Sequence, residues 1–108
     1  MPKRLPPDLA RHWDTLRSHG CMVCRSRIDT VLHHARAGSM ADFGFNAGGA
    51  QKPSDWLVMP LCPHHHTGDQ GIHQIGVKTW EDRYGWQMTH LDRIEAMTGC
   101  NIWEHAKQ

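Results

Sequence analysis

The residues of this chain best suited to chemistry are its four cysteines and ten histidines. Cys21-x-x-Cys24 can turn two thiolates onto one ion around a tight bend, and Cys62-x-x-His65 repeats that spacing further on. Together they supply the closed tetrahedral ligand set of a structural zinc. One CxxC alone is ambiguous, because redox motifs share it. Buried thiols or a disulfide would account for Cys21 and Cys24 but leave the second half-site unexplained. Cys100 lies outside the pattern and reads as a buried thiol beside the last helix.

Four more histidines flank the half-sites: His33 and His34 before the second, His66 and His73 after it. Any one alone reads as well as a solvated or core residue. As a set beside a zinc clamp they read as a site. Strand neighbours point to opposite faces, so His33 and His34 cannot both ligate one ion in a regular strand. One can ligate while the other approaches a reacting water, if the strand bends there. His66 and His73 would be separated by ~10.5 Å on a continuous helix. They share an ion only if Gly68-Asp69-Gln70-Gly71 bulges and a helix starts after it.

The elements that must position these residues follow from periodicity and punctuation. Residues 1–7 read as a loose arm. Asp8 to His19 reads as a helix capped by Asp8 and ended by Gly20, with Leu9, Trp13 and Leu16 on one core-facing stripe. Ile28 to His34 reads as a strand, residues 37–54 as loop, and Trp56-Leu57-Val58-Met59 as a second strand with Pro60 at its edge or end. A helix is expected over Ile72–Tyr84, broken by Gly85. Another is expected over Thr89–Thr98, with Leu91, Ile94 and Met97 inward.

At 108 residues the chain has the length of one domain with a modest core, for which a metal staple would compensate. Its net charge of +1 argues against a module that grips nucleic acid by basic residues alone. A nuclease is less affected, because bound cations supply local positive charge. Lys3, Arg4, Arg25, Arg27 and Arg36 could meet phosphates, although each alone reads as solvated surface. The N-terminus lacks an apolar signal segment and no run is long enough to span a membrane, so a reducing, cytoplasmic setting is expected.

The run Leu32-His33-His34, then Ser54-Asp55-Trp56-Leu57, then Pro60-Leu61-Cys62-Pro63-His64-His65-His66, resembles the HNH endonucleases. Their pattern places a His-bearing strand before an Asn-Leu segment and a Leu-Cys-x-x-Cys-His element. Gly71-Ile72-His73-Gln74-Ile75-Gly76 and Trp80-Glu81-Asp82-Arg83-Tyr84-Gly85 extend the likeness to the phage recombination-enhancement nucleases that depend on RecA. The resemblance spans roughly residues 20–86 and implies a single nuclease domain covering 1–108.

It implies an α+β fold with a small ββα-metal (His-Me finger) core, a zinc knuckle and flanking helices. It implies His34 as general base, and His33, His66 and His73 as ligands of a catalytic divalent cation. Asp55 stands where the family has an Asn that holds the base-bearing loop. Ionised Asp accepts hydrogen bonds but cannot donate them, so the local network must differ. His65 stands where the later half-site usually has a second Cys.

The implied activity is hydrolysis of DNA to 5′-phosphate and 3′-hydroxyl ends, in phage or prophage recombination or DNA processing, with a RecA filament as partner on the narrower likeness. The family implies magnesium in turnover, whereas imidazole ligands suit zinc or nickel, so resting and working ions can differ. Two rival classes stand beside this one. A zinc-stapled module could bind nucleic acid or protein without chemistry, and a zinc hydrolase could act on a small molecule. A chain this short leaves little room for the closed pocket that the hydrolase needs.

Overall fold

The computed structural model describes residues 5–45 and 54–107. Lys3 and Arg4 of the expected arm, and Gly48, Gly49 and Pro53 of the expected loop, lie outside them. The chain opens on helix α1 (Pro7–His19), followed by strand β1 (Val31–His34), helix α2 (Gly38–Asp42) and strand β2 (Val58–Leu61). Five further helices come next: α3 (Pro63–His66), α4 (Ile72–Ile75), α5 (Val77–Tyr84), α6 (Gln87–Thr98) and α7 (Ile102–Ala106). The class is α+β, with one two-stranded antiparallel sheet among the described residues.

Helix α1 starts with Pro7 in its first turn, where a missing N–H costs nothing. Asp8 therefore does not cap it from outside. It lies in the first turn, where its charge favours the positive end of the helix. Gly20 ends the helix as expected, at φ 93°, and its N–H bonds to Leu16 O at 3.3 Å. Leu9 and Leu16 are buried and Trp13 is half-buried.

Strand β1 begins three residues later than the β-branched run suggested. Asp29 takes φ 52°, Thr30 Oγ1 donates to Ser26 O, and Ile28 is left 75 % exposed. A turn leaving the knuckle thus overrides the strand preference of Ile28. Strand β2 is shifted forward to include Pro60. Val31 pairs with Leu61 and His34 with Val58. Pro60 is accepted because it faces away from β1, and its carbonyl takes the Met22 N–H at 2.9 Å.

Two expected stretches are corrected. Residues 38–42 are helical, not loop, because Glu81 reaches in from α5 to accept the Ser39 N–H. The helix expected over 72–84 is two helices, because Gly76 breaks it with a positive φ of 92° (ψ 151°) between them. Helix α6 begins two residues early, and Met97, expected inward, is 44 % exposed near its end. The short α7 was not foreseen. Its five residues are too few to hold a helix alone. Burial of Ile102 anchors it, worth ~1.5–3 kcal/mol.

The core lies where α1, β2, α5, α6 and α7 meet, on Leu16, Leu61, Trp80, Leu91, Ile94 and Ile102, none of them exposed. No helix among the described residues is long and apolar enough to cross a membrane.

Candidate metal centre and active site

Cys21 and Cys24 sit on the tight turn after α1. The Cys21 carbonyl accepts the Arg25 N–H at 2.8 Å, and the Cys21 N–H bonds to Ser26 O at 2.9 Å. Cys62 precedes α3 and His65 lies within it. Pro63 starts that single turn, so residues three apart share a face.

The four ligand atoms all lie within 4.8 Å of one another. Cys24 Sγ is 3.6 Å from Cys62 Sγ, too far for a disulfide. His65 Nδ1 is 3.2 Å from Cys62 Sγ and 3.8 Å from Cys21 Sγ. A zinc tetrahedron with Zn–S near 2.3 Å has edges of ~3.8 Å. The set therefore fits a structural zinc in both donor chemistry and spacing.

The titration of these groups fits a cation as well. Burial pushes Cys21 up, but the backbone N–H groups of Cys24, Cys62 and Val23 outweigh it and leave the thiol below its ordinary value. Burial pushes Cys62 up to about 11. The Cys62 thiol therefore resists ionisation unless a cation offsets the charge of its thiolate. His65 is held below its usual pKa by burial and then by His64, which keeps a lone pair available.

A second cluster joins His33, His66 and His73, again with ligand atoms within 4.8 Å. His66 closes α3 and His73 lies in α4, and their ring centroids are 4.6 Å apart. The seven-residue separation is bridged as the glycines suggested. The chain turns between the two helices, with Gly68 N–H on Pro63 O and Gly71 N–H on Gly68 O, both 2.8 Å. His33 packs edge-on to both partners at 5.4 and 5.1 Å. Burial holds His33 down at about 4, and His66 is lowered by burial and then by His73. His33 and His66 are therefore set to stay neutral, as imidazole ligands must be.

His34, the next residue along β1, is not in this cluster. Its Nε2 lies 2.9 Å from Asp55 Oδ1, and Trp13 stands edge-on to its ring. Trp13 also donates from Nε1 to Asp55 O at 2.9 Å, so α1 braces both members of the pair. His33, His34, Asp55, His66, His73 and Arg36 line one cavity of about 530 Å³. Arg36 is the cation on that wall, whereas Arg25 and Arg27 are exposed and outside it.

Sequence reasoning missed Trp13 as a brace and Gln87, whose Oε1 is 3.0 Å from His33 Nε2. Trp13 registered only as core periodicity. Gln87 carried no signal, because its side-chain partners lie 51 and 54 residues away.

No protein-family model matches the chain, and no curated protein or solved structure matches it. What the site can do is read from its own geometry.

Proposed function

We propose that this chain is a metal-dependent DNA endonuclease of the HNH type, with β1, β2 and α3 as its ββα-metal core. One observation carries the reading. A three-histidine cluster and a His–Asp pair line the same cavity, which borders the Cys3His clamp on the same short helix. The clamp fixes α3 against the knuckle, and α3 carries His66 into the cavity.

His33, His66 and His73 would hold the catalytic divalent cation. Bound there, the cation would supply Lewis-acid stabilisation of a phosphate and its leaving oxygen. His34 does the proton work. The Asp55 carboxylate can only accept, so it accepts a hydrogen bond from Nε2–H and leaves the Nδ1 lone pair to remove a proton from water. As the imidazolium forms, the carboxylate beside it offsets the charge. Arg36 on the same wall is placed to meet a phosphate oxygen.

Nicking of supercoiled plasmid with magnesium, manganese, nickel or zinc, beside a chelator control, tests the reading. Chelator-sensitive nicking that falls in His34→Ala is expected. Plasmid untouched under every metal, by protein that retains its clamp zinc, would leave a binding module. A RecA-filament arm in the same assay tests the narrower likeness.

A further inference from the structure

Gln87 is fully buried, and both ends of its amide are engaged. Nε2 donates to the Arg36 carbonyl at 2.9 Å, and Oε1 accepts the Arg36 N–H at 3.3 Å. Turning the amide over would set N–H against N–H and carbonyl against carbonyl. The Arg36 backbone therefore fixes which end is oxygen. That oxygen is 3.0 Å from His33 Nε2 and can only accept. His33 must then carry its proton on Nε2, which leaves Nδ1 as its free lone pair.

Gln87 is itself seated by two other elements. Trp86 offers no side-chain cap to α6. Glu81 Oε2 from α5 accepts the Gln87 N–H at 2.8 Å, and Ser39 Oγ from α2 accepts the Met88 N–H at 3.3 Å. Ser39 also donates its hydroxyl to Glu81 Oε2 and its N–H to Oε1. A carboxylate and a hydroxyl thus cap α6 from outside, at the end where negative charge is favoured. Gly38 makes room, since a Cβ there would collide with the Glu81 carboxylate and stand 2.6 Å from Val77 Cγ1.

We propose that Gln87, seated by Glu81 and Ser39, is a positioning residue that holds His33 in its Nε2-protonated form and aims Nδ1 at a cation shared with His66 and His73. The proposal rests on the three-histidine reading above. Partners of this kind fix ring and tautomer in metal sites, and losing one costs about 10–100-fold in metal affinity.

The test uses the full chain with its clamp zinc in place. Long-range proton–nitrogen correlation spectra, taken before any cation is added, read the His33 tautomer. Titration with cobalt then reads affinity at the histidine cluster, with zinc content followed throughout. Gln87→Met removes the acceptor at similar volume, and Gln87→Glu, protonated in this buried place, keeps a donor for the Arg36 carbonyl and an acceptor facing Nε2.

The expected result is an Nε2 proton in wild type and mixed tautomers in Gln87→Met. Cobalt should bind Gln87→Met about 10–100-fold more weakly, with recovery of tautomer and affinity in Gln87→Glu. A wild-type His33 protonated on Nδ1 would overturn the proposal without any variant, even if Gln87→Met does not fold. Equal cobalt affinity in folded Gln87→Met would overturn it too. Wild type with the assigned tautomer but no cobalt uptake would remove the three-histidine reading, and the role given to Gln87 with it.

Discussion

His34 and Asp55 face each other across 2.9 Å, ring nitrogen Nε2 to carboxylate Oδ1. The contact makes Asp55 a direct partner of the histidine. An Asn there would brace the loop by donating and accepting, whereas Asp55 accepts from the imidazole itself. The loop is braced instead by Trp13, through Asp55 O.

The first prediction follows from that pair. His34→Ala should slow plasmid nicking by ~10²–10⁴-fold, the usual worth of a positioned general base. Clamp zinc and cobalt uptake at the histidine cluster should be unchanged, because His34 ligates neither. Asp55→Asn retains an acceptor for Nε2 and should lose less rate than Asp55→Ala. Parental nicking by His34→Ala, in a preparation free of other nucleases, would remove His34 from the chemistry.

The clamp gives the second. Cys24→Ser replaces one of four ligands and should lower zinc content and stability together, since zinc binding in small domains is coupled to folding. A loss of ~2 kcal/mol lowers the Tm of a domain this size by roughly 10 °C. Thermal melts beside zinc analysis decide it. Full zinc content and a parental melt in Cys24→Ser would mean that Cys24 is a bystander.

Legibility in the sequence tracked how local the cause was. The clamp was readable because both half-sites keep their ligands three apart, a spacing that survives any tertiary arrangement. The His33, His66 and His73 grouping was readable only with the bulge condition, because glycines permit a turn without dictating one. Helix α2 was not readable. Gly38 and Ser39 are poor helix formers, and what holds them is Glu81, 42 residues away. The place of Gln87 was hidden for the same reason, since its side chain meets His33 and Arg36, 54 and 51 residues away. Strand β1 shows the opposite error, where a local preference at Ile28 yielded to the turn at Asp29.

His12 yields a pH prediction. It is buried in α1, its Nε2 has no hydrogen-bond partner among the described residues, and its ring is 5.7 Å from that of Trp56. Burial, and then His105, holds its pKa below the usual value of 6.5. The unfolded chain therefore takes up a proton that the native state refuses. His12 contributes its full stability above pH 6.5, and that contribution is lost as pH falls through the lower native value. Urea melts should show stability falling with acid, and less steeply in His12→Phe. Identical slopes in the two proteins would show that His12 is not the group involved.

Gly71 carries the last prediction, because it tests the histidine cluster without altering a ligand. Its φ of −79° suits any residue, so its role is spatial. A Cβ there would stand 2.6 Å from Thr67 N and closer still to the His66 carbonyl, both of them backbone with no room to give. Gly71→Ala must push α4 away from the end of α3, and those two helices carry His73 and His66 respectively. Cobalt affinity at the cluster should fall about tenfold or more, in line with losses seen when a ligand is mispositioned. The clamp should keep its zinc, since its ligands all precede the turn. A Gly68→Ala control asks whether the effect is particular to this wall, because a Cβ at Gly68 meets backbone only at 3.0 Å or beyond. It should cost less than Gly71→Ala. Undiminished cobalt binding by zinc-replete Gly71→Ala would mean that His66 and His73 do not need this turn to share an ion.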